Sequence, residues 1–284
     1  MRRPRRRLQP ALLLLALALP VTDEATAAPA TPLQELVDEV IRAWDAEEAA
    51  ERAGGRLDVR VFAGVDAVSA QAFQRDGVFG IRIYGGLYRH PAMDDDGLQL
   101  VVCHELGHHF GGYPFKGEHW SSAEGQADYF ATQSCARRLW QGTSAAAQDF
   151  TGRLSRQPGG DAAVAACRRS WSDADGQALC ARTILAALTM LQVLGDGQEA
   201  FRADTPDPVY SPQLISGTLP SFQCRLDNLI AGALCPVPFD PTLIPGRSHP
   251  DGQASPGAAQ EAMTVSCAGP GPGARPACWF PAAQ

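Results

Sequence analysis

Eight cysteines, at positions 103, 135, 167, 180, 224, 235, 267 and 278, constrain this 284-residue chain more than any other feature of its sequence. Their count is even and no Cys-x-x-Cys pair occurs. A zinc ribbon or a thioredoxin-like centre is therefore disfavoured, and a disulfide framework is expected. Connectivity does not follow from sequence, but three pairs lie close along the chain: 167/180, 224/235 and 267/278. The last two are expected to close locally. Cys103 falls on a helical stretch, where a small buried apolar side chain is the alternative reading.

Disulfides need an oxidising compartment, and the first residues suggest a route to one. Five arginines between positions 2 and 7 precede the apolar run Leu8–Leu19 and then Ala25-Thr26-Ala27. The run falls well short of the ~20 residues that span a bilayer. It reads as a secretory signal peptide, residues 1–27, cut before Ala28, which predicts an exported, periplasmic or extracellular protein. No later stretch holds 18 consecutive apolar residues, so no integral membrane segment is expected after signal removal. Without residues 1–27 the chain keeps 19 basic and 29 acidic residues, a net charge of −10. That balance argues against nucleic acid or an anionic membrane as a partner. Hydrophobic and charged fractions of 45% and 19% are those of a folded globular chain.

Along the chain, Thr31 with Pro32 in the first helical position opens a helix expected to run to about Arg52, where Gly54-Gly55 stops it. Residues 57–63 alternate apolar and polar and predict a strand. Residues 78–85 predict a second, with Arg82 opposite Ile81 and Ile83. It is either a sheet edge able to take up an extended peptide or an ordinary core strand. Asp94-Asp95-Asp96 suits the start of a helix from about Gly97 to Phe110, ended by Gly111-Gly112. The next helix is expected from Ser121 or Ser122 to about Trp140. Alanine-rich helices then reach about Leu194, with breaks near Gly159-Gly160 and Ser172. Ten of the 22 prolines fall after residue 235, which predicts a Pro/Gly-rich, disulfide-stapled C-terminal tail, 236–284, behind a main domain, 28–235. The expected class is α+β, mostly α, with a small sheet ahead of helix 97–110.

That helix carries His104-Glu105-Leu106-Gly107-His108. Positions i and i+4 share a helix face, so both imidazoles can hold one metal ion. Glu105 projects about 100° away and can reach a water at the metal instead. A zinc site of this type needs a third protein ligand. A histidine six residues after His108 would supply it in one class of such sites, but Pro114 stands there. The other solution is a Glu on the following helix. Glu124-Gly-Gln-Ala-Asp128 offers one, with Asp128 a turn further on the same face. Asp128 could accept a hydrogen bond from the free ring nitrogen of a ligand histidine and fix its tautomer. Ser121-x-x-Glu124 is also a capping box, which accounts for Ser121 and Glu124 but not for Asp128.

HELGH followed by ExxAD resembles the gluzincin metallopeptidases, most closely the HtpX and CAAX-prenyl-endopeptidase family, of the soluble exported type. Ile81–Leu87 resembles the strand and Gly-Leu turn that precede that family's zinc helix. Val68–Phe73 resembles its Asn-Ala-Phe segment without the Asn. Thr218–Leu226 resembles its Thr-His-Pro…Arg-Ile element, with Leu219 in the place of the His. The neutral zinc metallopeptidases, with HExGHH and ExxAD, are similar in the same residues. Both resemblances imply a zincin-like core around one Zn²⁺ per chain, held by His104, His108 and Glu124, and a peptide or protein substrate.

The expected activity is zinc-dependent endopeptidase, with Glu105 as general base. The alternative is a zinc-binding, non-proteolytic protein of chaperone-like or partner-binding type. Candidate donors to the oxyanion are His119, Tyr129, Tyr210, Arg225 and His249, with Arg225 favoured by the resemblance. His109 is expected beside the site rather than as a fourth ligand. Lys116, the only lysine of the chain, falls on the loop between the ligand helices. The tail could also lie across the cleft and keep the protein latent.

Overall fold

The computed structural model describes residues 31–116, 119–142, 148–197, 200–211, 219–267 and 271–280. The expected signal segment, Glu118 and Thr218 lie outside them.

The Asp94 side chain accepts the N–H of Gly97 at 2.8 Å and opens helix α4, Asp95–Phe110. Every residue from Gly97 to Phe110 is buried, so α4 is enclosed on all sides rather than amphipathic. Around it pack α1 (Pro32–Ala43), the paired helix beginning at α5 (Glu124–Phe130), α9 (Ala174–Leu194), and strands β2 (Ala70–Arg75) and β3 (Val78–Tyr84). About half the chain is helical, and the sheet has three strands. The class is α+β, as expected.

The first helix does not run through to Arg52. It stops at Trp44, Asp45 takes φ 53°, and a separate α2 follows, Ala46–Arg52. The turn lets Trp44 enter the core, where its Nε1–H donates to Ser134 Oγ at 3.0 Å and its ring packs on Phe110 and Phe130.

β1 (Arg56–Phe62) pairs in parallel with β3, and β2 pairs antiparallel with it, in the order β1-β3-β2. Phe79, Ile81 and Ile83 are buried while Arg82 is exposed, as the alternation predicts. The edge reading of strand 78–85 is corrected, since β3 is the central strand. The edge belongs to β2, a strand absent from the sequence reading. β2 and β3 are joined through Asp76-Gly77, both at positive φ (50° and 73°), as a tight two-residue hairpin requires. A short helix, α3 (Gly85–Arg89), follows β3.

The helix after the metal-motif helix begins at Glu124, later than expected, and Ser121 does not cap it. It continues through a π-helical turn, Ala131–Ala136, into α6, Arg137–Trp140. α7 (Phe150–Ser155), α8 (Gly160–Ser170) and α9 follow, with the breaks where expected. α9 is the one described helix long and apolar enough to cross a membrane, and most of it is buried in this fold. α10 (Phe222–Leu234) lies where the sequence pattern suggested no element.

All eight cysteines are paired: 103–135, 167–180, 224–278 and 235–267. Local closure of 224/235 and of 267/278 is corrected. Cys224 and Cys235 sit at opposite ends of α10, and eleven residues of helix separate them by about 16 Å, beyond the ~7 Å a disulfide tolerates. Cys103 is not a lone apolar filler but a partner of Cys135. Multiple disulfides are compatible with export.

The tail is loop-rich and stapled, with one helix, α11 (Pro256–Thr264). It buttresses α5 from behind. Trp279 is fully buried, donates to Asn228 Oδ1 at 3.1 Å, and lies against Gly125, where any Cβ would meet its ring at 2.4 Å. Tyr129 donates to Gly273 O at 2.7 Å, and Arg275 to Gln126 Oε1 at 2.9 Å.

Candidate metal centre

α4 and α5 cross so closely that Gly107 is required between them. A Cβ there would come within 2.7 Å of Ala127 O and 2.8 Å of Ala127 Cα. The crossing brings the carboxylate of Glu124 to the two imidazoles of α4. His104 Nε2 is 3.3 Å from Glu124 Oε2, and His108 Nε2 is 3.7 Å from Glu124 Oε1. One ligand atom from each of His104, His108 and Glu124 lies within 4.8 Å of the others.

The other ring nitrogens are occupied. His108 Nδ1 lies 3.0 Å from Ser122 O, and Ser121 Oγ is 3.2 Å from the same nitrogen. His104 Nδ1 lies 2.8 Å from Asp128 Oδ1. That approach is oblique to the ring, and His104 Nδ1 makes no well-directed hydrogen bond, so Asp128 acts there mainly as a counter-charge. In their neutral forms protonated at Nδ1, the two rings would present both Nε2 lone pairs towards Glu124. Two neutral imidazoles and one carboxylate on a common point form a donor set that fits a divalent ion such as zinc.

Electrostatics favour a cation at that point. Burial pulls His104 down, but Asp128 and Glu124 outweigh it and lift the imidazole to about 9. His108 goes the other way, to about 3, through burial and the charge on His104. Burial works against Glu124 as an anion, yet His104, His108 and Lys116 hold it well below the usual carboxylate range. A proton on His104 thus stands where a metal ion would otherwise balance the carboxylates.

Behind the cluster, Arg225 from α10 makes a bidentate pair with Asp128, Nε to Oδ2 at 2.8 Å and Nη2 to Oδ1 at 2.7 Å. Burial opposes the Asp128 carboxylate, but Arg225 and then His104 keep it below its ordinary range.

The cluster opens on a cleft of about 390 Å³, also lined by Glu105, Lys116, His119, Arg225 and the β2 edge at Ala70, Gln71 and Ala72. Burial lifts the Glu105 carboxyl to about 7, against the charge on His104 and with that on Glu124. Of the candidate oxyanion donors, His119 and Arg225 line the cleft. Tyr129 is buried against the tail, Tyr210 is exposed and does not line the cleft, and His249 lines a different cavity. No described tail residue lines the cleft, and the described tail is braced behind α5.

His109 is not a ligand. It faces away from the cluster, its Nε2 3.0 Å from Gly80 O and its ring stacked on Trp120. Sequence reasoning missed two partners of the cluster. Ser121 touches His108 instead of capping α5, and Lys116 Nζ lies 2.7 Å from Glu124 Oε1. Neither spacing carries a helical or strand period, so only the fold of the 111–123 loop reveals them. Leu219, in the place of the family His, is 68% exposed and does not line the cleft.

No protein-family model matches this chain, and no curated protein and no solved structure is significantly similar to it.

Proposed function

We propose that the protein is a zinc-dependent endopeptidase of the gluzincin kind, with a zincin-like core of α4, α5 and the small sheet. The observation that carries the reading is the convergence of His104, His108 and Glu124 within 4.8 Å on a cleft that Glu105 also lines. A zinc ion bound by these residues would supply Lewis acidity to a water and to a peptide carbonyl.

The chain's own groups divide the remaining work. Glu105, buried beside the cluster and lining the cleft, is placed to take a proton from the attacking water. As the water oxygen bonds to the scissile carbon and the C–N bond breaks, Glu105 delivers that proton to the leaving nitrogen. The Ser122 carbonyl accepts from His108 and keeps that ring in the tautomer that presents Nε2, while Asp128 sits behind His104 as its counter-charge. Arg225 spends Nε and Nη2 on Asp128, which makes it a positioning residue in this reading. His119 is exposed at the rim and remains the candidate for the oxyanion donor. The outer edge of β2 beside the cluster suits an extended peptide pairing as an added strand.

A second reading is a metal-holding protein without hydrolytic activity. Lys116 favours it, because its ammonium already occupies one oxygen of the third ligand.

The test is mass-spectrometric detection of cuts in a mixed peptide library, beside Glu105→Gln and a chelator-treated sample. Cuts that vanish in both controls support the endopeptidase. Absence of cuts with one zinc bound per chain supports the second reading. A folded, oxidised chain that binds no zinc overturns both.

A further inference from the structure

A second cavity, of about 670 Å³, shares no lining residue with the metal cleft. It lies between α2 and the tail, and its size is that of small-molecule sites. One wall is apolar, formed by Ala49, Ala53, Phe110, Leu243 and Ile244. Arg247 lines it as well.

Arg247 is unusually placed for a guanidinium. Its Nη2 donates to His109 O at 2.8 Å and to Trp120 O at 2.7 Å. Its Nε is buried with no hydrogen-bond partner. Among the described residues Nη1 makes no hydrogen bond, and no carboxylate lies within ion-pairing distance of the group. Burial alone lowers it, to about 10, with no acidic neighbour opposing the shift. The other charged groups of the cavity do not answer this charge. Glu261 accepts the Gly246 N–H at 3.0 Å, and Arg52 pairs with Glu48 at 2.7 Å and donates to Pro241 O. His249 lies near Asp251, 3.8 Å away. A largely buried cation whose partners are two neutral carbonyls and the Phe115 ring, 5.7 Å away, has no counter-charge, and an anion in the cavity would offset the cost of burying it.

We propose that this cavity binds a carboxylate carried on an apolar body, with Arg247 as its counter-charge and the wall of α2 and residues 243–244 as its apolar seat. The carboxylate could belong to a small organic acid or to the C-terminus of a peptide. The site is independent of the metal reading, since none of its residues belongs to the cluster.

The experiment is calorimetric titration of the full oxidised chain with hexanoate, with hexanamide, and with acetyl-Leu-Leu bearing a free or an amidated C-terminus. Hexanoate or the free-acid peptide should saturate one site per chain, and which of them binds identifies the source. Each matching amide should bind about tenfold or more weakly, the change expected for a lost charged hydrogen bond. Arg247→Met should erase the difference between acid and amide. Because Arg247 also ties two backbone segments together, that variant can fail to fold. Thr264→Trp provides the second arm, since this exposed residue lines the cavity and an indole would fill it with Arg247 in place. It should abolish binding of the acid. Equal binding of acid and amide overturns the proposal. So does undiminished acid binding in either variant, or no saturation by either acid up to about 10 mM, a range in which even weak sites fill.

Discussion

Cys103 and Cys135 form a disulfide that joins α4, one residue before His104, to the π-helical turn continuing the helix of Glu124 and Asp128. The loop it closes contains His104, Glu105, His108, Glu124 and Asp128. The bond therefore fixes the spacing of the two ligand helices independently of any ion. With a sequence separation of 32 residues, its loss should cost about 3–4 kcal/mol of stability in the chain-entropy account. The variant Cys103→Ala/Cys135→Ala should show a lower urea midpoint and weaker zinc binding in competition with a chromophoric chelator. A midpoint that falls while zinc affinity stays unchanged would show that the bond stabilises the fold without setting the site.

Gly107 tests the same crossing from the other side. Alanine is the better helix former, by roughly 1 kcal/mol. Here the added methyl would meet the backbone of Ala127 at 2.7–2.8 Å, and backbone cannot swing aside. Overpacking of that kind costs about 1–3 kcal/mol, enough to cancel the gain and reverse it. Gly107→Ala should lower Tm and, by parting α4 from α5, draw Glu124 away from both imidazoles. Weaker zinc binding together with a lower Tm is the expected pair of results. An unchanged zinc affinity would mean that the helices can separate without disturbing the cluster.

The cluster of His104, His108 and Glu124 is legible because helix geometry turns sequence spacing into spatial spacing. His104 and His108 share a face for that reason alone, as do Glu124 and Asp128. Arg225 was legible only as a residue near the site, since its pairing with Asp128 links α10 to α5 across 97 positions and no local period encodes that. The reverse error occurred at Ser121, where a good capping pattern was overridden by the contact with His108. β2 is hard to read from sequence although Asp76-Gly77 is a strong hairpin signal, because Ala70–Arg75 lacks the β-branched residues that mark a strand. Disulfide pairing failed for a different reason. Nearness in sequence is not nearness in space, since α10 holds Cys224 and Cys235 apart.

His109 sets a pH dependence separate from that of the candidate metal ligands. Burial, opposed by its bond to Gly80 O, lowers the imidazole from 6.5 to about 4 in the folded chain. As pH falls from 6.5 towards 4, the unfolded chain takes up this proton and the folded chain does not, so stability drops across that window. Below about 4 both states bind it and the effect levels off. The full loss is on the order of 3 kcal/mol for such a shift. His109→Phe removes the titration at the cost of the bond to Gly80. The difference in unfolding free energy between wild type and variant should therefore narrow as pH falls from 6.5 to 4. A difference that stays constant over that range would show that His109 does not titrate with a depressed pKa.

The pairing of Arg225 with Asp128 separates two roles that this arginine could play if the site is hydrolytic as proposed. If Arg225 met the substrate's developing charge, its removal would depress turnover and leave the metal in place. The bidentate bond instead makes it the support of a fully buried carboxylate that stands 2.8 Å from His104. Arg225→Leu leaves Asp128 buried without its guanidinium partner, which favours its protonated form and weakens the counter-charge at His104. Losing a group that orients a metal-binding histidine typically costs about 10–100-fold in affinity. Zinc affinity should therefore fall by that order, and Asp128→Asn should fall alongside it. The double variant Arg225→Leu/Asp128→Asn should lose less than the sum of the two, since the pair acts as one unit. Wild-type zinc affinity in Arg225→Leu, combined with lost peptide cleavage, would instead assign Arg225 to the substrate.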